Sequence, residues 1–392
     1  MAETRKASRF IVPVAVAGVA AATIGLVPAL AASGDPELPE ITAQQLIEKI
    51  AASDTQTLSG TFKISTDLGL PSFAGLMPGL GGNGGGSSAD PSEKLTELVS
   101  GTHTLRVAAD GPERQKLTLL DGSDEYSLIH NGADVWAYDS KSNEVFHEKA
   151  PEGAGAPEGK EVPTTPKELA DEVLKAAGDT TSITVDGTAK VAGRDAYQLV
   201  IKPKQAGSTV ESVKIAVDAA NGTPLKFTLA SVEGGKPVVD AGFTKIDFAK
   251  PAASDFAFKA PAGAKVTEGA AESAAEDAAG EEKLPEGFEK GLGDLEKGFG
   301  DFGGSGEGMN VIGEGWTTIA KLDTGAPAPK TDEAPKEVQG FLDSLGDKVT
   351  GKFGSGTVFK TKLVNALLTD DGKVYVGAVT QDALVNAANA GK

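Results

Sequence analysis

Between Thr102 and Val145 the chain meets three turn signals roughly ten residues apart: Asp110-Gly111-Pro112, Asp121-Gly122 and Asn131-Gly132. Asn-Gly and Asp-Gly supply the positive φ that a two-residue hairpin demands, and the runs between them are extended in character. That spacing specifies an antiparallel meander. In its third hairpin, His130 to Asp139, Val135 points to one face and Trp136 to the other.

A second series of strands follows the same logic. Thr181 to Val185 is expected to turn at Asp186-Gly187 into Thr188 to Val191, and Ala196 to Ile201 stops at Pro203. Val213, Ile215 and Val217 alternate with Lys214, Ala216 and Asp218; after Asn221-Gly222-Thr223-Pro224, so do Leu225, Phe227 and Leu229 with Lys226 and Thr228. Val238 to Phe248 closes the series, and Phe256 and Phe258 precede Pro261. Ahead of the meander, Thr57 to Asp67 reads as a strand with Phe62 and Ile64 on one face. Apolar residues inward and polar ones outward describe a one-sided antiparallel sheet. Two amphipathic helices are its natural cover. One is Ile41 to Ala52, capped by Thr42 and striped by Leu46, Ile47 and Ile50. The other is Thr165 to Ala177, with Pro166 at its first position and Leu169, Val173 and Leu174 on one side. The fold class is α+β.

Composition removes whole classes of function. The 392 residues carry a formal net charge of -19 and no cysteine. Nucleic acid is not a partner on this reading, because phosphate binding needs clustered Lys and Arg. Disulfides, thiolate chemistry and cysteine metal sites are excluded. Residues 1–32 read as a signal peptide or signal anchor: Arg5, Lys6 and Arg9 precede an uncharged run from Ile11 to Leu30, with Ala29-Leu30-Ala31 as a cleavage site. The run is also long enough to span a bilayer uncleaved. Either fate places the rest outside the cytoplasm, secreted or anchored to the cell membrane.

Beyond residue 266 the character changes. Residues 267–309 read as an Ala/Glu/Gly-rich linker. Within it Phe288-Glu289-Lys290-Gly291-Leu292-Gly293-Asp294 recurs as Leu295 to Asp301, with Phe288, Leu292, Leu295, Phe299 and Phe302 at a heptad-like spacing. Its interior glycines, at about 1 kcal/mol each, work against a free helix. It is a linker or a segment that folds when its stripe is buried. Residues 310–392 are expected to form a small α+β module. Its expected elements are a strand Val311 to Leu322 with Trp316, a helix Glu337 to Leu345, strands Lys348 to Phe353 and Thr357 to Leu368, an Asp370-Asp371-Gly372 hairpin, a strand Lys373 to Val379 and a helix Gln381 to Ala388.

No reactive constellation emerges, so the chain reads as a non-enzyme without metal or cofactor. His103, His130 and His147 are not paired with carboxylates at ligand spacing. Gly346 to Phe353 nearly spells a P-loop, but Phe353 stands where Ser or Thr must bind magnesium. Candidate ligand contacts are of two kinds. The apolar loop from Leu68 to Leu80, with Leu70, Phe73, Leu76 and Met77, either packs on the core or forms a lip over an apolar cavity. Arg106, Arg114 and Arg194 could hold an anionic head group at a groove rim, the alternative being surface ion pairs. Trp136 and Tyr138 share one strand face and pack against a helix or line the groove.

Three segments in order resemble the LolA and MucB/RseB superfamily. Asn131-Gly132-Ala133-Asp134-Val135-Trp136-Ala137-Tyr138-Asp139 resembles its tryptophan hairpin, Val191 to Pro203 its "A-G-R" strand, and Val217 to Leu225 the strand pair that follows. The resemblance runs from about Ile41 to Pro261, within a domain placed at residues 40–266. It implies a curved antiparallel half-barrel with covering helices that binds acyl chains of lipids or lipoproteins as a carrier. The resemblance implies as the alternative an RseB-like envelope-stress sensor that regulates a membrane anti-sigma factor. The C-terminal module resembles the second domain of MucB/RseB proteins.

Overall fold

The computed structural model describes residues 36–69, 89, 94, 101–149, 174, 178–268, 309–323 and 346–391. The targeting segment, the loop residues Leu70, Phe73, Leu76 and Met77, the 288–302 repeat and the expected helix Glu337 to Leu345 lie outside them.

One helix opens the described chain. In α1 (Ala43–Ala51) Thr42 accepts from the backbone N–H of Gln45, while the Gln45 side chain accepts from the Thr42 N–H. This capping box satisfies two donors that a helix start otherwise leaves orphaned. Then come β1 (Thr57–Thr66), β2 (Gly101–Asp110), β3 (Arg114–Asp121), β4 (Asp124–Asn131), β5 (Asp134–Asp139) and β6 (Glu144–Lys149). The three expected turns join β2 to β5, with Gly111, Gly122 and Gly132 all at positive φ. After them follow β7 (Thr181–Val191), β8 (Arg194–Pro203), β9 (Val210–Asp218), β10 (Pro224–Ser231), β11 (Val239–Asp247) and β12 (Lys265–Glu268).

These twelve strands form one open, mostly antiparallel sheet in the order β12-β6-β5-β4-β3-β2-β1-β11-β10-β9-β8-β7. Two sequence-local meanders are thus joined by one long-range pairing, β1 with β11. The joint carries a bulge at Thr61/Phe62, where Thr244 is the extra residue. Gly60 beside it is required, because a Cβ there would stand 2.4 Å from the Lys245 carbonyl oxygen. A bulge bends and twists the strand that holds it. In the β7–β11 half the sheet bends over its own face: Cα atoms of β7 and β11 come within 8 Å. Four strand spacings in a flat sheet would be about 19 Å.

Several expectations need correction. Asp186-Gly187 is not a turn: β7 runs through it with a register shift between Val185 and Thr188, so the positive φ of Gly187 makes a bulge. The hairpin lies instead at Ala192-Gly193, both at positive φ. Thr267 and Glu268, read as linker, belong to β12, which pairs parallel to β6 at the far edge. Nor is Val311 to Leu322 one strand. It is a hairpin of β13 (Met309–Ile312) and β14 (Ile319–Asp323) around a 3₁₀ turn carrying Trp316, with Gly313 and Gly315 at positive φ.

With β13 and β14, the strands β15 (Gly346–Gly351), β16 (Gly354–Phe359), β17 (Asn365–Thr369) and β18 (Lys373–Gly377) make a second, six-stranded sheet. The strand expected over Thr357 to Leu368 is divided between β16 and β17, because the Thr361 hydroxyl accepts from the N–H groups of Leu363 and Val364 and turns the chain. The C-terminal α2 (Gln381–Ala390) packs Leu384, Ala387 and Ala388 on Leu367, Tyr375 and Val358. The two sheets meet along a hydrogen-bonded seam. Thr380 N–H donates to Gly207 O at 2.8 Å, and Trp316 Nε1 donates to Thr181 Oγ1 at 2.7 Å. Lys362 N–H donates to Leu68 O at 2.8 Å, and Lys362 Nζ lies 2.5 Å from Asp67.

Candidate functional site: the apolar face of the large sheet

Side-chain alternation combined with the strand register gives each face its own rows. On one face, called inner here, Phe243, Phe62, Leu105, Leu119 and Tyr126 stand opposite one another across β11, β1, β2, β3 and β4. The next row runs Val107, Leu117, Leu128, Ala137 and Phe146 across β2 to β6. Together with Leu58, Ile64, Ala241, Leu225, Ala216, Ala196 and Val191 they form a single apolar cluster reaching from β6 to β7, in which Val107, Leu117, Leu128 and Phe146 are partly buried at the margin. Phe62 and Phe243 meet edge to face at 5.0 Å, the preferred aromatic geometry, at the joint between the two meanders.

On β7–β9, α1 sets Leu46 and Ile47 on Tyr197, Leu199 and Val217, the side of these strands opposite Ala196 and Ala216, with Leu174 at the margin. The segment before α1 is held by side chains of the sheet: Thr188 Oγ1 donates to Pro36 O and Tyr197 OH to Pro39 O, at 2.8 and 3.0 Å. Over β4 and β5 the contacts are to residues just before β2. The Tyr126 hydroxyl donates to the carbonyl of buried Ala89 at 3.0 Å, and Lys94 Nζ stands 3.6 Å from Asp139.

The opposite face is not the polar surface that one-sided alternation predicts. The chain between β11 and β12 crosses it as a strap: Lys250 Nζ reaches Asp110 at 3.0 Å, and Phe256, fully buried, lies in a 3₁₀ turn (Ala253–Phe256) over β3 and β4. Phe258 packs on Trp136 and Tyr138 with ring centroids 5.4 and 5.9 Å away. Beneath the strap Ile129 and Val145 are buried.

The residues singled out from the sequence are distributed as follows. Trp136 and Tyr138 are together, but on the strap face, away from the inner cluster. Arg106 is exposed on that same face, in the row of Thr118, Ser127 and Tyr138. Arg114 pairs with Asp110 at 2.7 Å, across the β2–β3 hairpin. Arg194 makes a two-pronged bond to Asp218, Nε to Oδ2 at 2.6 Å and Nη2 to Oδ1 at 3.1 Å, and its guanidinium lies 5.1 Å from the Phe248 ring centre. Asp218 is almost completely buried. Burial alone would push its carboxyl up, but the Arg194 bond, the N–H groups of Ala220 and Asn221 and the Arg194 charge bring it below the ordinary range. Arg114 and Arg194 are thus engaged by carboxylates of the fold itself. The inner-face residues that sequence reasoning passed over, Leu105, Leu119 and Tyr126, announced themselves only as every second residue of a strand. His147, taken to lack a carboxylate partner, has two, from β5 and β12 at 2.9 and 2.7 Å. They sit on opposite ring nitrogens, so one metal ion could not be shared by all three.

No protein-family model and no curated protein matches the chain. Among solved structures it is similar to MucB of Pseudomonas aeruginosa, in complex with MucA, at 16% identity and TM-score 0.38 over 88% of this chain and 96% of that one. It is also similar to a LolA superfamily protein of Nitrosomonas europaea, at 11% identity and TM-score 0.19 over 56% of this chain and 99% of that one. A third is an outer membrane lipoprotein-sorting protein domain of Vibrio parahaemolyticus, at 13% identity and TM-score 0.20 over 53% of this chain and 92% of that one.

Proposed function

We propose that this chain is an exported, non-catalytic binding protein that takes an acyl chain of a lipid or lipoprotein on the apolar inner face of its large sheet. The observation that supports this reading is the inner cluster itself, continuous from β6 to β7. Burying a hydrocarbon tail is worth about 0.8 kcal/mol per methylene, enough over a long chain to offset extraction from a membrane. The bent β7–β11 half would be the closed end of a half-barrel trough, with Arg194–Asp218 and Phe248 bracing it.

The test is native mass spectrometry of the purified chain, paired with displacement of a fluorescent fatty-acid probe. Bound lipid and competitive displacement are expected. Neither bound lipid nor probe uptake would refute the reading. Capture of a membrane protein by crosslinking, without lipid, would favour the regulator of an anti-sigma factor instead.

A further inference from the structure

We propose that His147 is a pH-sensitive latch holding β12 on the edge of the large sheet, and with it the point where the chain leaves for the second sheet. The proposal stands apart from the acyl-binding reading. β12 pairs parallel to β6 through Lys265 to Glu268 opposite Glu144 to His147, and three of its four residues are exposed, Val266 at 45%. So short and exposed a strand gains little from apolar burial. Side chains hold it: Lys265 Nζ to Glu144 at 2.7 Å, and His147 Nδ1 to Glu268 Oε2 at 2.7 Å. The other ring nitrogen, Nε2, lies 2.9 Å from Asp134 Oδ1 on β5. The ring itself is buried and stacked on Trp136, centroids 3.7 Å apart and 13° from parallel.

A carboxylate only accepts hydrogen bonds, so both bonds exist together only when both ring nitrogens carry hydrogen. That is the imidazolium, which the indole face also favours. Once the ring gives up one proton, a nitrogen lone pair faces a carboxylate oxygen. Glu268, with its side chain 69% exposed against 46% for Asp134, is the arm free to leave. The other charges around the ring do not replace it. Lys149 stands opposite Asp134, Lys265 is engaged with Glu144, Lys116 lies along the same row beyond Ile129 and Trp136, and Glu148 points to the other face. The latch therefore closes in mildly acidic solution, where imidazolium meets carboxylate, and opens as the pH rises.

Amide hydrogen exchange on the full chain, corrected for intrinsic rates, tests this between about pH 5.5 and 8.5, the range in which histidine is the switching side chain. Protection of the 265–268 amides is expected to fall about tenfold over that range, as befits one charged hydrogen bond. Glu268→Gln, which can donate to a neutral ring, and His147→Gln, which does not titrate, are each expected to flatten the profile. Unchanged protection in the parent chain, or the same pH dependence surviving in both variants, would overturn the proposal.

Discussion

Asn131-Gly132 and Asn221-Gly222 are the same dipeptide with both glycines at positive φ, yet they carry different burdens. At the β4–β5 hairpin a Cβ on Gly132 would meet nothing within 4 Å, so the turn is a purely local device. At the β9–β10 turn a Cβ on Gly222 would stand 2.3 Å from the carbonyl oxygen of Lys49, in the last turn of α1. The Lys49 ammonium meanwhile donates to Ala220 O at 3.4 Å. The first turn sets a register. The second is a joint between the sheet and the helix that covers it, and a pattern of dipeptides cannot distinguish them.

The sharpest way to break that comparison is to substitute both. Gly222→Ala should destabilise by about 3 kcal/mol, combining left-handed strain with a clash against backbone that only displacement of α1 relieves. Gly132→Ala should cost about 1 kcal/mol, the strain alone. Equal losses in urea unfolding would show that α1 is not seated where it is described. Next in size is Asp218→Asn, beside the same turn, at about 2 kcal/mol, since Arg194 is partly exposed and can be resolvated. The sign with pH follows from the depressed carboxyl: its contribution is present above the unfolded carboxylate pKa and lost as pH falls through the folded value. The variant should therefore be closer in stability to the parent in acid than at neutral pH, and a constant difference would contradict the assignment. Smallest is Ala192→Gly at the β7–β8 hairpin, where a non-glycine sits at φ 51°. Relief of strain, less the added freedom of the unfolded chain, should stabilise by about 0.5 kcal/mol, read as a raised Tm.

Much of the large sheet was legible because its hairpins are local. Turn chemistry at Gly111, Gly122 and Gly132 and period-two alternation are sufficient to place β2 to β5. What was not legible is non-local. The pairing of β1 with β11, the strap that buries Phe256, and the parallel docking of β12 depend on partners far along the chain. Trp136 and Tyr138 show the same limit at the candidate site. Alternation correctly sets them on one face, but a sheet apolar on both sides offers no way to tell from one strand which face holds the main core. Asp186-Gly187 failed for a different reason: Gly at positive φ serves a bulge as well as a turn. Arg194 was conspicuous as a cation, while its partner Asp218, 24 residues on, was visible only once β8 and β9 were paired.

The central claim, that an acyl chain occupies the inner face, is tested most directly by adding a nitroxide-labelled fatty acid to isotope-labelled protein and mapping paramagnetic broadening. The account predicts broadening of Leu105, Leu119, Leu128 and Ala137, with the strap-face Trp136 and Ile129 spared. Broadening confined to the strap face, or none at saturating ligand, would contradict it.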